Sequence, residues 1–307
     1  MSAGWVAGGV RSRAMARRRL GATGARGLAA STSWDEAVGL LAASPYGGLT
    51  RPGATQVEAQ RAVAATLLWN LRVLAGWLPA AGAEQLRRLA SWFEISNVDE
   101  HVRALVGRPA QVPYQLGALA TAWPRLAASA SLGDLRDVLA ASPWGDPGGA
   151  TARQIQLGMR LSWADRVSAR VPAARPWAAG AIALLVARER FARGSDLPEG
   201  AAVTASRVLG HRWRTAHSPG DLARTLPPHA RWAVAHLSDP TDLWTAEAGW
   251  WRRLRSDGAR LLATAGAGPD RVVGTAALLA ADAWLVRAAL TIAGHQPADL
   301  EVFDAVA

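Results

Sequence analysis

Residues 28–48, LAASTSWDEAVGLLAASPYGG, and residues 126–146, LAASASLGDLRDVLAASPWGD, align without gaps at an offset of 98, with eleven of 21 positions identical. A chain that repeats itself constrains its own fold, because each copy must bury an apolar face against a neighbour. Alanine-rich composition could inflate such a match. It could not supply the Ser-Pro-aromatic-Gly terminator twice, at 44–47 and 142–145. A third, fainter copy, SPGDLARTL (218–226), corresponds to SLGDLRDVL (131–139).

The segments after each terminator also correspond. Apolar residues recur at spacings of three and four in 59–79, 155–172 and 243–266, and each of these long helices is followed by another, at 86–107, 177–194 and 272–294. The second helix of each pair ends at a glycine, a frequent residue just past a helix C-terminus. Sustained alternation at period two is absent, and Pro/Gly clusters separate the segments. The fold class expected is therefore all-α, built from three helical pseudo-repeats over residues 1–110, 111–196 and 197–307. Ser33 with Glu36 and Ser131 with Asp134 have the spacing of helix-capping pairs.

Composition narrows the chemistry. The chain of 307 residues has no cysteine, which excludes disulfides, thiolate nucleophiles and cysteine-ligated metals. All 34 basic residues are arginine, so neither a P-loop lysine nor a Schiff-base lysine exists. The net charge of +10 favours acidic surfaces: anionic lipid heads, nucleic acid or an acidic protein. The dense cluster RSRAMARRR (11–19) would spread around a helix. The start of the chain has no hydrophobic signal core and reads as a first helix, with an arginine-rich transit peptide as the lesser alternative. The apolar run 272–286 is interrupted by Asp282 and reads as too short to span a bilayer.

No catalytic constellation emerges. Of His101, His211, His217, His229, His236 and His295, none pair at i,i+4, and no metal site is expected. Asp165 beside Arg166, and Glu189 between Arg188 and Arg190, read as solvated ion pairs. No nucleophile elbow or Ser/His/Asp set is present, and GAGPDR (266–271) follows no strand, so it does not read as a dinucleotide loop. Neither a cofactor nor a small-molecule substrate is implied. The tryptophans on long helices (Trp69, Trp77, Trp92, Trp163, Trp250, Trp251, Trp284) read as core by default. Trp250 and Trp251 cannot face one direction, which leaves one of them for a partner.

The stretch SWFEISNVDEHVRAL (91–105) resists a single helical stripe. Leu86, Leu89 and Phe93 share one face, whereas Ile95, Val98, Val102 and Leu105 share another. Asn97 with Glu100 three residues later has capping-box spacing, so a break or kink near Ser96 is expected, with Asn97 structural.

The repeats resemble the C/d family of central-stalk rotor adapters found in the V-type and archaeal A-type ATPases. GPDRVVGTAALLAADAWLVRAALTIAG (268–294) is similar to that family's Gly-Pro-x-x-Val-Val/Ile-Gly lead-in to a long helix. FEISNVDEHVRAL (93–105) is similar to its Asp-Ile-x-Asn helix that ends in an arginine. WVAGGVRSRAMARRRL (5–20) resembles its first helix, and SPYG and SPWG resemble its Thr/Ser-x-Tyr-Gly ends. The likeness runs nearly end to end and is distributed. It implies three pseudo-repeats arranged as a funnel and a non-catalytic central-stalk adapter. Such an adapter sits on the cytoplasmic face of the membrane as a peripheral component, between the rotor ring of membrane proteins and the proteins of the central shaft. It helps couple ATP hydrolysis or synthesis to ion transport.

By the same resemblance, the acidic position of the first repeat is Glu94, followed by Asn97 and Arg103. Where the family has Glu-x-Glu in the last repeat this chain has Asp282 and Trp284, and the following asparagine position is Arg287. Glu94, Asn97, Arg103, Asp282 and Arg287 are thus candidates for contacts between repeats or with a partner. The alternative function is a basic helical-repeat protein that binds nucleic acid or another acidic partner.

Overall fold

The computed structural model describes residues 3–264, 266, 268–294, 300, 301, 303 and 304, and among these every regular element is helical. His295 and position 267 of the GAGPDR stretch lie outside the described residues. The chain forms two compact units, residues 1–86 with 251–307 and residues 87–250.

The first unit contains α1 (Ala3–Arg17), α2 (Gly21–Ala29), α3 (Trp34–Ala42), α4 (Gln56–Gly76) and most of α5 (Ala80–Ala90). The second contains α6 (Trp92–Leu105), α7 (Trp123–Leu126), α8 (Leu132–Ala140), α9 (Ala152–Arg170), α10 (Arg175–Ala187), α11 (Glu199–Leu209), α12 (Pro219–Thr225), α13 (Pro228–Arg231) and the start of α14 (Leu243–Thr264). The rest of α14 and α15 (Pro269–Ile292) return to the first unit.

The repeat is legible in the caps. Ser33, Ser131 and Ser218 each sit in extended backbone, and each hydroxyl accepts the N–H three residues on. The return arm of the capping pair reaches one residue earlier than expected: Glu36 accepts from Thr32, and Asp134 from Ala130. The terminators match atom for atom. Ser44 Oγ donates to Leu41 and accepts from Tyr46 N, while Ser142 Oγ donates to Leu139 and accepts from Trp144 N. Both need their glycine, for different reasons. Gly145 has φ +76°, whereas a Cβ on Gly47 would stand 1.9 Å from the Ala42 carbonyl oxygen. Full capping boxes open the next helices, Thr55 with Glu58 on α4 and Thr151 with Gln154 on α9.

In the first unit α15 is the central helix, packed against α1, α2 and α4. Gly274 lets α14 approach it closely, since a Cβ there would lie 2.8 Å from the Gly258 carbonyl oxygen. Leu28, Leu41, Tyr46, Val63, Val286 and Leu290 form the core around it. By length and composition α15 is apolar enough to cross a membrane, with mean hydropathy 1.5, so reading this run as too short is corrected. Its apolar window is 78% buried inside the structure. In the second unit α9 packs against α6, α10 and α11 around Ile95, Val98, Leu126, Leu135, Ile155 and Met159.

Three expectations about side chains are corrected. Trp69, Trp77 and Trp92 are 54%, 53% and 44% exposed, not core. Trp250 and Trp251 do face different ways, but each has a partner in its own unit. Trp250 Nε1 donates to the Trp177 carbonyl, and Trp251 stacks on Trp284 at 5.3 Å. Glu189 is buried and takes Arg153 and Arg193, while Arg188 pairs with Glu247 and Asp165 with Arg207.

Candidate functional site

The break in the apolar stripe lies at Ser91, between α5 and α6, and not near Ser96. From Trp92 to Leu105 the helix is regular, so Asn97 is no cap and the expected kink there is absent. The physical reason is that Asn97 has a better use than a helix end. Its Nδ2 donates to the Tyr114 carbonyl at 2.9 Å, and its Oδ1 accepts the Tyr114 N–H at 2.6 Å. The side chain thus replaces a strand partner for one residue of a loop that has none, which satisfies both backbone groups.

Asn97 is one rung of a ladder. Glu94, Asn97, Glu100 and Arg103 recur every three residues along α6, and all four hold the irregular segment that follows the helix. Glu94 accepts Thr121 and Ala122, Glu100 accepts the Gln111 N–H at 2.8 Å, and Arg103 Nε donates to the Pro109 carbonyl at 3.0 Å. Burial falls along the ladder. Glu94 and Asn97 are buried, while the Arg103 side chain is 52% exposed.

Glu94 carries the most concentrated chemistry. Its carboxylate accepts Thr121 N at 2.6 Å on one oxygen, and Ala122 N at 2.8 Å with Trp144 Nε1 at 2.7 Å on the other. Asp282 on α15 is built the same way. One oxygen accepts Gly21 N at 2.8 Å, and the other accepts Leu20 N at 3.1 Å with the Tyr46 hydroxyl at 2.8 Å. Each clamp therefore joins a core helix to two consecutive backbone N–H groups and to the aromatic of a Ser-Pro-aromatic-Gly terminator. Burial, and after it the Asp282 charge, pushes the Tyr46 phenol well above its ordinary value, which keeps it a proton donor.

These bonds leave a closed inventory. Three donors to one carboxylate, two from backbone and one from an aromatic, compensate its burial. Glu94 and Asp282 have equivalent roles in separate units, each with its own partners. Arg287 is exposed and takes part in neither clamp.

The core helix α10 carries no matching carboxylate. Glu94 lies thirteen residues before Gly107, and Asp282 twelve before Gly294; Gly180 lies fourteen before Gly194, on a helix whose π turn at Arg188–Ala192 adds a residue. All three terminal glycines have positive φ. A Cβ on Gly180 would stand 2.7 Å from Trp232 Cζ2, so this ring packs directly on the α10 backbone.

Sequence reasoning did not find Tyr46, Trp144 or Trp232 as partners. A signal existed: Tyr and Trp at the aligned terminator position are the two large aromatics that carry a hydrogen-bond donor. The only described histidine in this neighbourhood, His101, has Nε2 2.9 Å from Ser129 Oγ, and no cluster of three potential metal ligands occurs among the described residues. A scan of protein-family models returns no match to this chain, and a search of curated proteins returns none.

Proposed function

We propose that the chain is a non-catalytic adapter that couples other proteins, of the kind that V-type and A-type rotary ATPases place between central shaft and rotor ring. In this reading it lies on the inner face of a membrane as a peripheral component and helps transmit ATP hydrolysis or synthesis to ion transport. One observation carries the proposal: the matched clamps at Glu94 and Asp282, positions that the sequence resemblance also pairs. Their buried carboxylates tie helices to loops, and a part that transmits torque needs that kind of internal rigidity. The test is gentle extraction of the tagged chain from its native membranes. Rotor-ring and central-shaft proteins should accompany it, and recovery of the chain with neither refutes the role.

A second reading, a basic repeat protein on nucleic acid, draws on the +10 charge. It requires affinity that falls by decades between low and physiological salt; a flat salt response removes it.

A further inference from the structure

We propose that the outward face of α1 docks on an anionic lipid bilayer. Ala3, Val6, Val10, Arg13 and Arg17 are exposed and recur at spacings of three and four, so they form one stripe. The opposite face, with Gly8, Ser12, Met15 and Ala16, is buried in the first unit. Val6 is 48% and Val10 66% exposed, an apolar pair with nothing covering it among the described residues.

Arg13, Arg17 and the adjacent Arg18 are exposed and form no side-chain hydrogen bond or ion pair among the described residues. The first acidic residue of the chain is Asp35, so neither α1 nor α2 carries a carboxylate to neutralise them. The stripe is therefore apolar over its first half and cationic over its second. An anionic bilayer is complementary to both halves, with headgroup phosphates and carboxylates for the guanidinium groups and the acyl boundary for the valines. Nucleic acid would satisfy the arginines but offers no apolar phase to Val6 and Val10. The inference stands on α1 alone and does not depend on the coupling role.

Co-sedimentation of the full chain with phosphatidylcholine vesicles, with and without phosphatidylserine, tests it. Binding should favour the phosphatidylserine vesicles and weaken at high salt. At about 1 kcal/mol per arginine near such a surface, R13Q/R17Q/R18Q should lower partitioning by roughly a hundredfold. Val10→Ser, which leaves the charge unchanged, should lower it by a few-fold. Unfolding curves of both variants should overlay the parent, because every altered side chain is exposed. Equal binding to both vesicle types overturns the proposal, as does phosphatidylserine binding that the triple variant leaves intact. Binding that ignores Val10→Ser while duplex DNA competes it away overturns it too, in favour of a nucleic-acid face.

Discussion

Replacing Glu94 with glutamine removes one charge and almost no volume, so it isolates the chemistry of the clamp. The amide oxygen can keep the pair of donors now on one carboxylate oxygen, Ala122 N and Trp144 Nε1. Its NH2 then faces the Thr121 N–H, where two donors meet across a gap of 2.6 Å and one must withdraw. An unsatisfied buried donor costs about 1–3 kcal/mol. The two surviving bonds drop from charge-assisted to neutral, which roughly halves their strength. Relief of carboxylate desolvation offsets part of this, leaving an expected loss of about 2–4 kcal/mol. Trp144→Phe removes one donor and keeps both backbone bonds, about 1 kcal/mol at the clamp, while its smaller ring also leaves a cavity in the core and weakens the Arg166 contact. Urea unfolding gives the global cost, and amide exchange of Thr121 and Ala122 reports the clamp directly even if the two units unfold separately. Exchange at both amides should accelerate more in Glu94→Gln than in Trp144→Phe. A Glu94→Gln protein within about 0.5 kcal/mol of the parent, or the reverse order of exchange at the Thr121 and Ala122 amides, refutes the argument.

Asn97→Ala deletes both bonds to Tyr114 and should cost about 2 kcal/mol, with faster exchange at Tyr114 and an unchanged helix signal in circular dichroism. Gly145→Ala should cost about 1–2 kcal/mol for its left-handed backbone, and Gly47→Ala more, because the Ala42 carbonyl must move; thermal melts rank the two. The Arg136 side chain, and then the Gly148 N–H, hold the Asp146 carboxyl at about 2. A depressed acid contributes its stability above its unfolded value of 3.8 and loses it as pH falls toward about 2. Arg136→Gln should raise the Asp146 midpoint toward 3.8 in an NMR titration and shrink that acid-dependent loss.

The all-helical class, the Ser33 and Ser131 caps and the glycine ends of the core helices were legible because they are local, set within three or four residues of the signal. Ser91 was misplaced as a break near Ser96 because capping-box spacing at Asn97 and Glu100 is a pattern that loop contacts also use. The partners of the buried acids were not legible. Asp282 finds its donors more than two hundred residues away, and Glu189 bypasses the adjacent Arg188 and Arg190 for Arg153 and Arg193. The exposed tryptophans escaped for a related reason: helical spacing places a residue on a face, and only packing decides whether that face is covered. Gly180 opposite Trp232 illustrates the same limit, since a glycine in a helix does not announce the ring that fills its place.

The reach of the Asp282 clamp also sets an order of events during synthesis. Glu94, Thr121, Ala122 and Trp144 leave the ribosome close together, so the second unit, a contiguous 87–250, can close its clamp as it emerges. Leu20, Gly21 and Tyr46 must wait for a carboxylate translated more than two hundred residues later, on the order of tens of seconds at typical elongation rates. Through that interval Leu28, Leu41 and Val63 lack α15, the helix that covers them in the finished unit. The opening third of the chain therefore waits longest with its core uncovered, and a circular permutant opened ahead of α14, near residue 240, should shorten that wait.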